Sequence, residues 1–141
     1  MRFIVPGIPV PKGRPRLTTI NGSARAYTPK KTKDYESIVA MSATDAMQGA
    51  EPMDKPLMAH INIYLPIPAS WSKKKRELAL SYDVIHTKKP DVDNVLKAIL
   101  DGMNGIVFVD DARVVGMYVF KHYSDTPRVD VEIEILKGQC A

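Results

Sequence analysis

The chain has 141 residues, with 20 Lys and Arg against 16 Asp and Glu for a net charge of +4, a size that suits one domain spanning residues 1–141. Its one cysteine, Cys140, excludes an intrachain disulfide and a thiolate zinc site. No stretch approaches the roughly 20 apolar residues of a membrane span, and MRFIVPGIPV lacks the apolar run of a signal peptide, so the expectation is a soluble cytoplasmic protein.

In chain order, Phe3 to Val5 is a short apolar run. It leads into VPGIPVPKGRPRL, whose four prolines and two glycines read as a basic loop without regular structure. Thr28 and Pro29 read as N-cap and first residue of a helix over about 29–48, with Tyr35, Ile38, Val39, Ala46 and Met47 at helical spacing and Gly49 as the stop. In LMAHINIYL, Leu57, Ala59, Ile61, Ile63 and Leu65 alternate with Met58, His60, Asn62 and Tyr64, a half-buried strand closed by Pro66 and Pro68. Ser70 or Ser72 caps a short basic helix, WSKKKRELAL. After Pro90, the residues Val92, Val95, Leu96, Ile99, Leu100 and Met103 supply the apolar face of another helix, ending near Gly102 to Gly105. Ile106 to Val109 reads as extended, Asp110 and Asp111 as a turn, and VVGMYVFK as a strand. The last strand alternates Val129, Val131, Ile133 and Ile135 with Asp130, Glu132 and Glu134. Strands and helices interleave without a regular βαβ rhythm, which predicts a single α+β domain with a mixed or antiparallel sheet packed with two main helices.

Chemistry concentrates in PDVDNVLKAILDGMNGIVFVDDARVV, from Pro90 to Val115. Asp91 and Asp93 stand one residue apart, Lys97 follows Asp93 by one helical turn, and Asp110 and Asp111 form a second acidic pair. Like charges sharing a site repel, so such a cluster calls for a cation. The surroundings are basic: residues 1–33 carry Arg2, Lys12, Arg14, Arg16, Arg25, Lys30, Lys31 and Lys33, and the first acid is Asp34. An acidic focus within a basic chain suggests a hard divalent cation held beside a polyanion, nucleic acid above all. Each residue also has a plain structural explanation. Asp91 suits an N-cap, Asp93 complements the helix dipole, Asp110 and Asp111 suit a turn, and Lys97 suits a surface ion pair. Their joint placement is what those explanations leave to coincidence.

Other motifs fail on their own requirements. An EF-hand counted from Asp91 needs an oxygen ligand where Val95 stands, Gly where Leu96 stands and Glu where Gly102 stands. A phosphatase-type D-x-D-x-T motif needs Thr in place of Val95 and an apolar strand in place of Lys88, Lys89 and Pro90. There is no phosphate-binding G-x-x-x-x-G-K-[ST] loop and no local signature of a nucleophilic triad. His60, His86 and His122 are scattered, with His86, nearest the acids, a candidate to support a ligand.

The run DVDNVLKAILDGMN at Asp91 to Asn104, followed by VDDARVV at Val109 to Val115, resembles the signature of the RusA family of Holliday-junction resolvases, and Gly7 to Arg16 is similar to the N-terminal block of many phage-type members. The resemblance implies a RusA-like fold and metal-binding acids at Asp91, Asp93 and Asp111, with Asp110 the alternative ligand of the later pair, and an essential lysine at Lys97. It also implies a homodimer that acts on four-way junction DNA in recombination and repair.

The chemistry suits those residues. Hydrolysis of a DNA phosphodiester needs an activated water, neutralised phosphoryl oxygens and a stabilised leaving oxygen, which carboxylate-held Mg²⁺, or Mn²⁺ as a substitute, can supply. Lys97 would face the scissile phosphate. Lys12, Arg14 and Arg16 in the proline-rich loop, Lys73, Lys74, Lys75 and Arg76 on the short helix, and Lys88 and Lys89 beside the acids are the expected phosphate contacts. Two symmetric nicks require two acidic sites, which a C2 dimer provides. Two readings compete with a junction-resolving endonuclease: a DNA-binding protein without catalysis, and a metal-dependent nuclease acting on flaps, forks or duplex.

Overall fold

The alternation in Leu57–Pro66 sets the architecture. In the computed structural model, which describes residues 1–141, this segment is β4, with Leu57, Ala59, Ile61, Ile63 and Leu65 all buried on one face. The other elements are β1 (Arg2–Pro6), β2 (Arg16–Ile20), β3 (Ser23–Tyr27), α1 (Lys30–Met47), α2 (Lys73–Leu80), α3 (Val92–Met103), a 3-10 turn (Asp111–Arg113), β5 (Val114–Ser124) and β6 (Arg128–Ile135). The main sheet has the order β1-β6-β4-β5. β6 runs antiparallel to both β1 and β4, while β4 and β5 are parallel, so the sheet is mixed. A parallel pair needs a crossover, and the chain between β4 and β5 supplies one containing α2 and α3. The α+β class is as the alternating patterns predict. No helix is long and apolar enough to cross a membrane.

α1 and α3 pack on the buried face of the sheet. Their Tyr35, Val39, Ala43, Val95, Ala98, Ile99 and Met103 join Val5, Ile61, Ile63, Phe108, Val129 and Val131 in one core. The helices approach closely at Gly102, where an added Cβ would stand 2.6 Å from the Val39 Cβ and 3.0 Å from the Glu36 carbonyl oxygen. A glycine near the end of α3 therefore serves contact between backbones.

Three local readings are corrected. Pro29 occupies the N-cap of α1 and Thr28 does not cap it; helix dihedrals begin at Lys30. Buried Thr32, one turn in, accepts a hydrogen bond from Gly13 N–H at 2.9 Å, which docks the proline-rich loop on the helix. Ile106 to Val109 is mostly turn, with only isolated bridges at Phe108. The third correction concerns Arg16 to Tyr27, which forms an antiparallel hairpin, β2 with β3, closed by Asn21 and Gly22 at φ 51° and 78°. Asn-Gly is the dipeptide that a two-residue turn with two positive φ values favours. All ten strand residues of the hairpin are exposed, so its sequence carries no buried alternation.

Candidate active site

α3 begins where Pro90 ends a tightly held segment. Lys121, midway along β5, donates from Nζ to the Lys88 carbonyl at 2.8 Å and the Pro90 carbonyl at 3.1 Å. From the other side, Lys12 N–H donates to the Asn94 carbonyl at 2.8 Å. The first turn of α3 is thus clamped between β5 and the proline-rich loop.

On that frame Asp91 takes the N-cap position with extended dihedrals, yet its carboxylate caps no N–H. Both its oxygens accept from Lys89 Nζ at 3.1 Å, an exposed pair of little energetic weight. The capping explanation for Asp91 therefore accounts for its backbone and not for its carboxylate. Asp93, Lys97 and Asp111 line one shallow depression of about 190 Å³, with Leu96 and Leu100 as its apolar wall. Asp93 and Asp111, 18 positions apart in the chain, line it together because α3 and β5 are in contact. Asp110 lies outside this depression, and its carboxylate accepts from Ala112 N–H at 3.3 Å, capping the 3-10 turn. Of the later pair, Asp111 alone lines the depression that Asp93 lines.

Lys97 is 64% exposed at its side chain and stands 3.8 Å from Asp101, a loose contact one turn on. Asp101 is held more firmly by Lys12, at 3.0 Å, and the same ammonium meets Glu36 at 2.5 Å. Burial opposes the charge on Lys12, but the hydrogen bonds and charges of Glu36 and Asp101 more than offset it, and its pKa is raised. Lys12, expected among the phosphate contacts, is thus committed to joining α1 and α3, its side chain only 19% exposed.

Asp91 faces a second groove, of about 500 Å³, whose walls include Pro9, Pro11, Pro66 and Tyr123 and whose rim carries exposed Lys88 and Lys89. His86 lines it, tilted against Tyr123 with centroids 4.5 Å apart, and its Nδ1 is buried without a partner. Burial, and then the charge of Lys121, lower the His86 pKa, so the ring is neutral at pH 7. Among the other basic residues, Arg14, Arg16, Lys73, Lys74 and Lys75 are exposed. Lys75 sits over the Trp71 ring at 4.1 Å, and Arg76 is tied to Asp125 at 3.4 Å.

No three His, Cys, Asp or Glu side chains stand close enough to form a closed metal cage. Mg²⁺ does not demand one, because it keeps several waters and takes one or two carboxylates plus substrate oxygens. Asp93 and Asp111, hard oxygen donors on one depression open to solvent, fit that requirement, while Asp91 lines the neighbouring groove.

A family model described as Endodeoxyribonuclease RusA matches residues 6–134. The chain belongs to the RusA endodeoxyribonuclease family. A relative from Bacillus subtilis (strain 168), the uncharacterized protein YqaN, is 38% identical over 135 residues, covering 94% of each chain. The RusA match includes the proline-rich loop, α3 and the acidic turn before β5, so the site lies wholly within the family's extent. Membership places the chain among endodeoxyribonucleases. Sequence reasoning missed Lys121, which sits in a strand pattern with no motif around it.

Proposed function

We propose that this RusA-family protein is a divalent-metal-dependent endodeoxyribonuclease that resolves four-way junctions by paired nicks, using Mg²⁺, with Mn²⁺ as a substitute. The observation that carries the reading is the convergence of Asp93, Lys97 and Asp111 on one depression. Asp93 and Asp111 would hold the ion, with Asp91 as a further carboxylate and Asp110 as the alternative next to Asp111. When bound, the ion supplies Lewis-acid stabilisation of phosphoryl charge and a water of lowered pKa.

The chain's own residues do the rest. Lys97, exposed and only loosely held by Asp101, swings toward the scissile phosphate and offsets the charge that develops there. The first turn of α3, with no side-chain cap, offers peptide N–H groups to the same anion. Lys88, Lys89, Arg14, Arg16 and Lys73 to Lys75 are exposed for phosphate positioning. A C2 homodimer would supply the second site. Edge strand β5, exposing Val115 at 63%, Tyr118 at 57% and Phe120 at 57%, is the apolar surface that supports pairing of two copies.

The test is Mg²⁺-dependent cleavage of a synthetic four-way junction beside matched duplex, flap and single-stranded DNA. Paired symmetric nicks in the junction alone, abolished by Asp93→Asn with junction binding retained, are expected. Binding without cleavage in either metal would make the protein a non-catalytic DNA binder, and equal cutting of all substrates a general nuclease.

A further inference from the structure

The β2–β3 hairpin joins no other strand, and every residue in its two strands is exposed. A two-stranded ribbon of this kind is marginal in water by itself, and this one leaves Leu17 77%, Ile20 49% and Tyr27 47% exposed. Its feet are fixed nonetheless. Gly13 N–H is bound by Thr32 in the first turn of α1, Lys12 N–H by the Asn94 carbonyl, and α1 begins three residues after Tyr27. Asn94 follows Asp93 directly, so the loop that leads into the ribbon is anchored at the residue next to Asp93.

Its charge indicates the partner. Arg16 pairs with Tyr27 and Thr18 with Arg25, and side chains of paired residues share a face, so Arg16, Arg25 and Tyr27 lie together on one side. Arg14 stands just before the ribbon, and no acid occurs in the chain before Asp34. Arginines beside an aromatic ring, without acids, match a phosphate backbone and the face of a base. In duplex DNA those faces are already stacked. They come free only where pairing is interrupted.

We infer that the β2–β3 hairpin is a DNA-binding arm that holds a strand at the branch point, Arg16 and Arg25 on phosphates and Tyr27 and Ile20, on the same face, on unstacked bases, and so makes the protein prefer branched DNA to duplex. The inference rests on the nuclease reading above and deepens it. The arginines act on any DNA, whereas the apolar contacts form only on a branched one.

The test measures binding of the full chain to a four-way junction and to matched duplex, in Ca²⁺ and over a range of salt, with thermal unfolding and Mg²⁺ cleavage followed in parallel. Since the arm contributes nothing to the core, the variants keep the wild-type melting temperature. R16Q/R25Q is expected to lower the salt slope of log K by about 1.8, two phosphate contacts at about 0.9 each. Y27A is expected to weaken junction binding about tenfold with duplex binding held within about twofold, and Y27F to restore it, since stacking uses the ring. Junction and duplex affinities unchanged in both Y27A and R16Q/R25Q, with cleavage intact, would overturn the arm and leave the nuclease reading standing. A slope change in R16Q/R25Q with no loss of selectivity in Y27A would overturn branch recognition. A wild-type protein that neither binds nor cuts any of these DNAs would overturn the nuclease reading and the arm with it.

Discussion

Replacing Lys12 with methionine removes one ammonium from between two carboxylates and keeps most of the apolar stem. The three side chains are 19%, 21% and 27% exposed for Lys12, Glu36 and Asp101, so the cluster lies between the fully buried and the surface case. Removing one partner of a buried pair costs about 3–5 kcal/mol, while an exposed pair contributes about 1 kcal/mol or less. A loss of about 2 kcal/mol is expected. With an unfolding entropy near 2.1 cal/mol/K per residue, a chain of 141 residues melts about 7 °C lower for that loss. Differential scanning calorimetry at pH 7 measures it. Adding Glu36→Gln and Asp101→Asn to Lys12→Met should recover part of the loss, since neutral amides need no counter-charge. The pKa of Lys12 is raised in the folded state, so its contribution is fully present below the ordinary lysine pKa of 10.5 and is lost only as pH rises through the folded value. The wild-type and Lys12→Met melting curves should therefore stay a constant distance apart from pH 7 to 9. In DNA binding, Lys12→Met should leave the salt slope unchanged, whereas Arg14→Gln should lower it by about 0.9. A melting shift under 2 °C together with a reduced slope would refute the structural role and return Lys12 to the phosphate contacts.

Gly102→Ala should destabilise by about 1–3 kcal/mol, opposite in sign to helix propensity, because the new methyl meets Val39 and the Glu36 carbonyl; chemical denaturation showing a gain would refute the close packing of α1 and α3. Tyr35→Phe should be neutral or stabilising by up to about 1 kcal/mol, since the buried Tyr35 hydroxyl has no partner, and a clear loss in the same assay would show that it has one. Lys121→Met removes both hydrogen bonds to the segment before Asp91 and should raise the Mg²⁺ concentration for half-maximal cleavage several-fold, with Lys121→Arg restoring part of it; an unchanged metal titration would rule out a positioning role.

The buried alternation of β4 and β6, the apolar stripe of α3 and the acidic spacing from Asp91 to Asp111 were legible because each is a local pattern with a fixed period. Sequence alone determined the α+β class, the helices and strands that carry a buried face, and the RusA signature. It left the sheet undecided between mixed and antiparallel, since side-chain alternation is the same whichever way the neighbouring strand runs. Only the tertiary structure made β5 parallel to β4, and so carried Asp111 to the depression shared by Asp93 and Lys97. It also separated residues of one chemical type by their surroundings. Lys12 and Arg14 are neighbours in one basic loop, but the packing of α1 on α3 surrounds the first with two carboxylates and leaves the second in solvent. Asp110 and Asp111 are likewise adjacent, and the tertiary turn assigns one to a backbone N–H and the other to the site. Charge and spacing along a chain determine which residues are available for chemistry; burial and partners, which depend on segments distant in sequence, decide which of them remain free to do it.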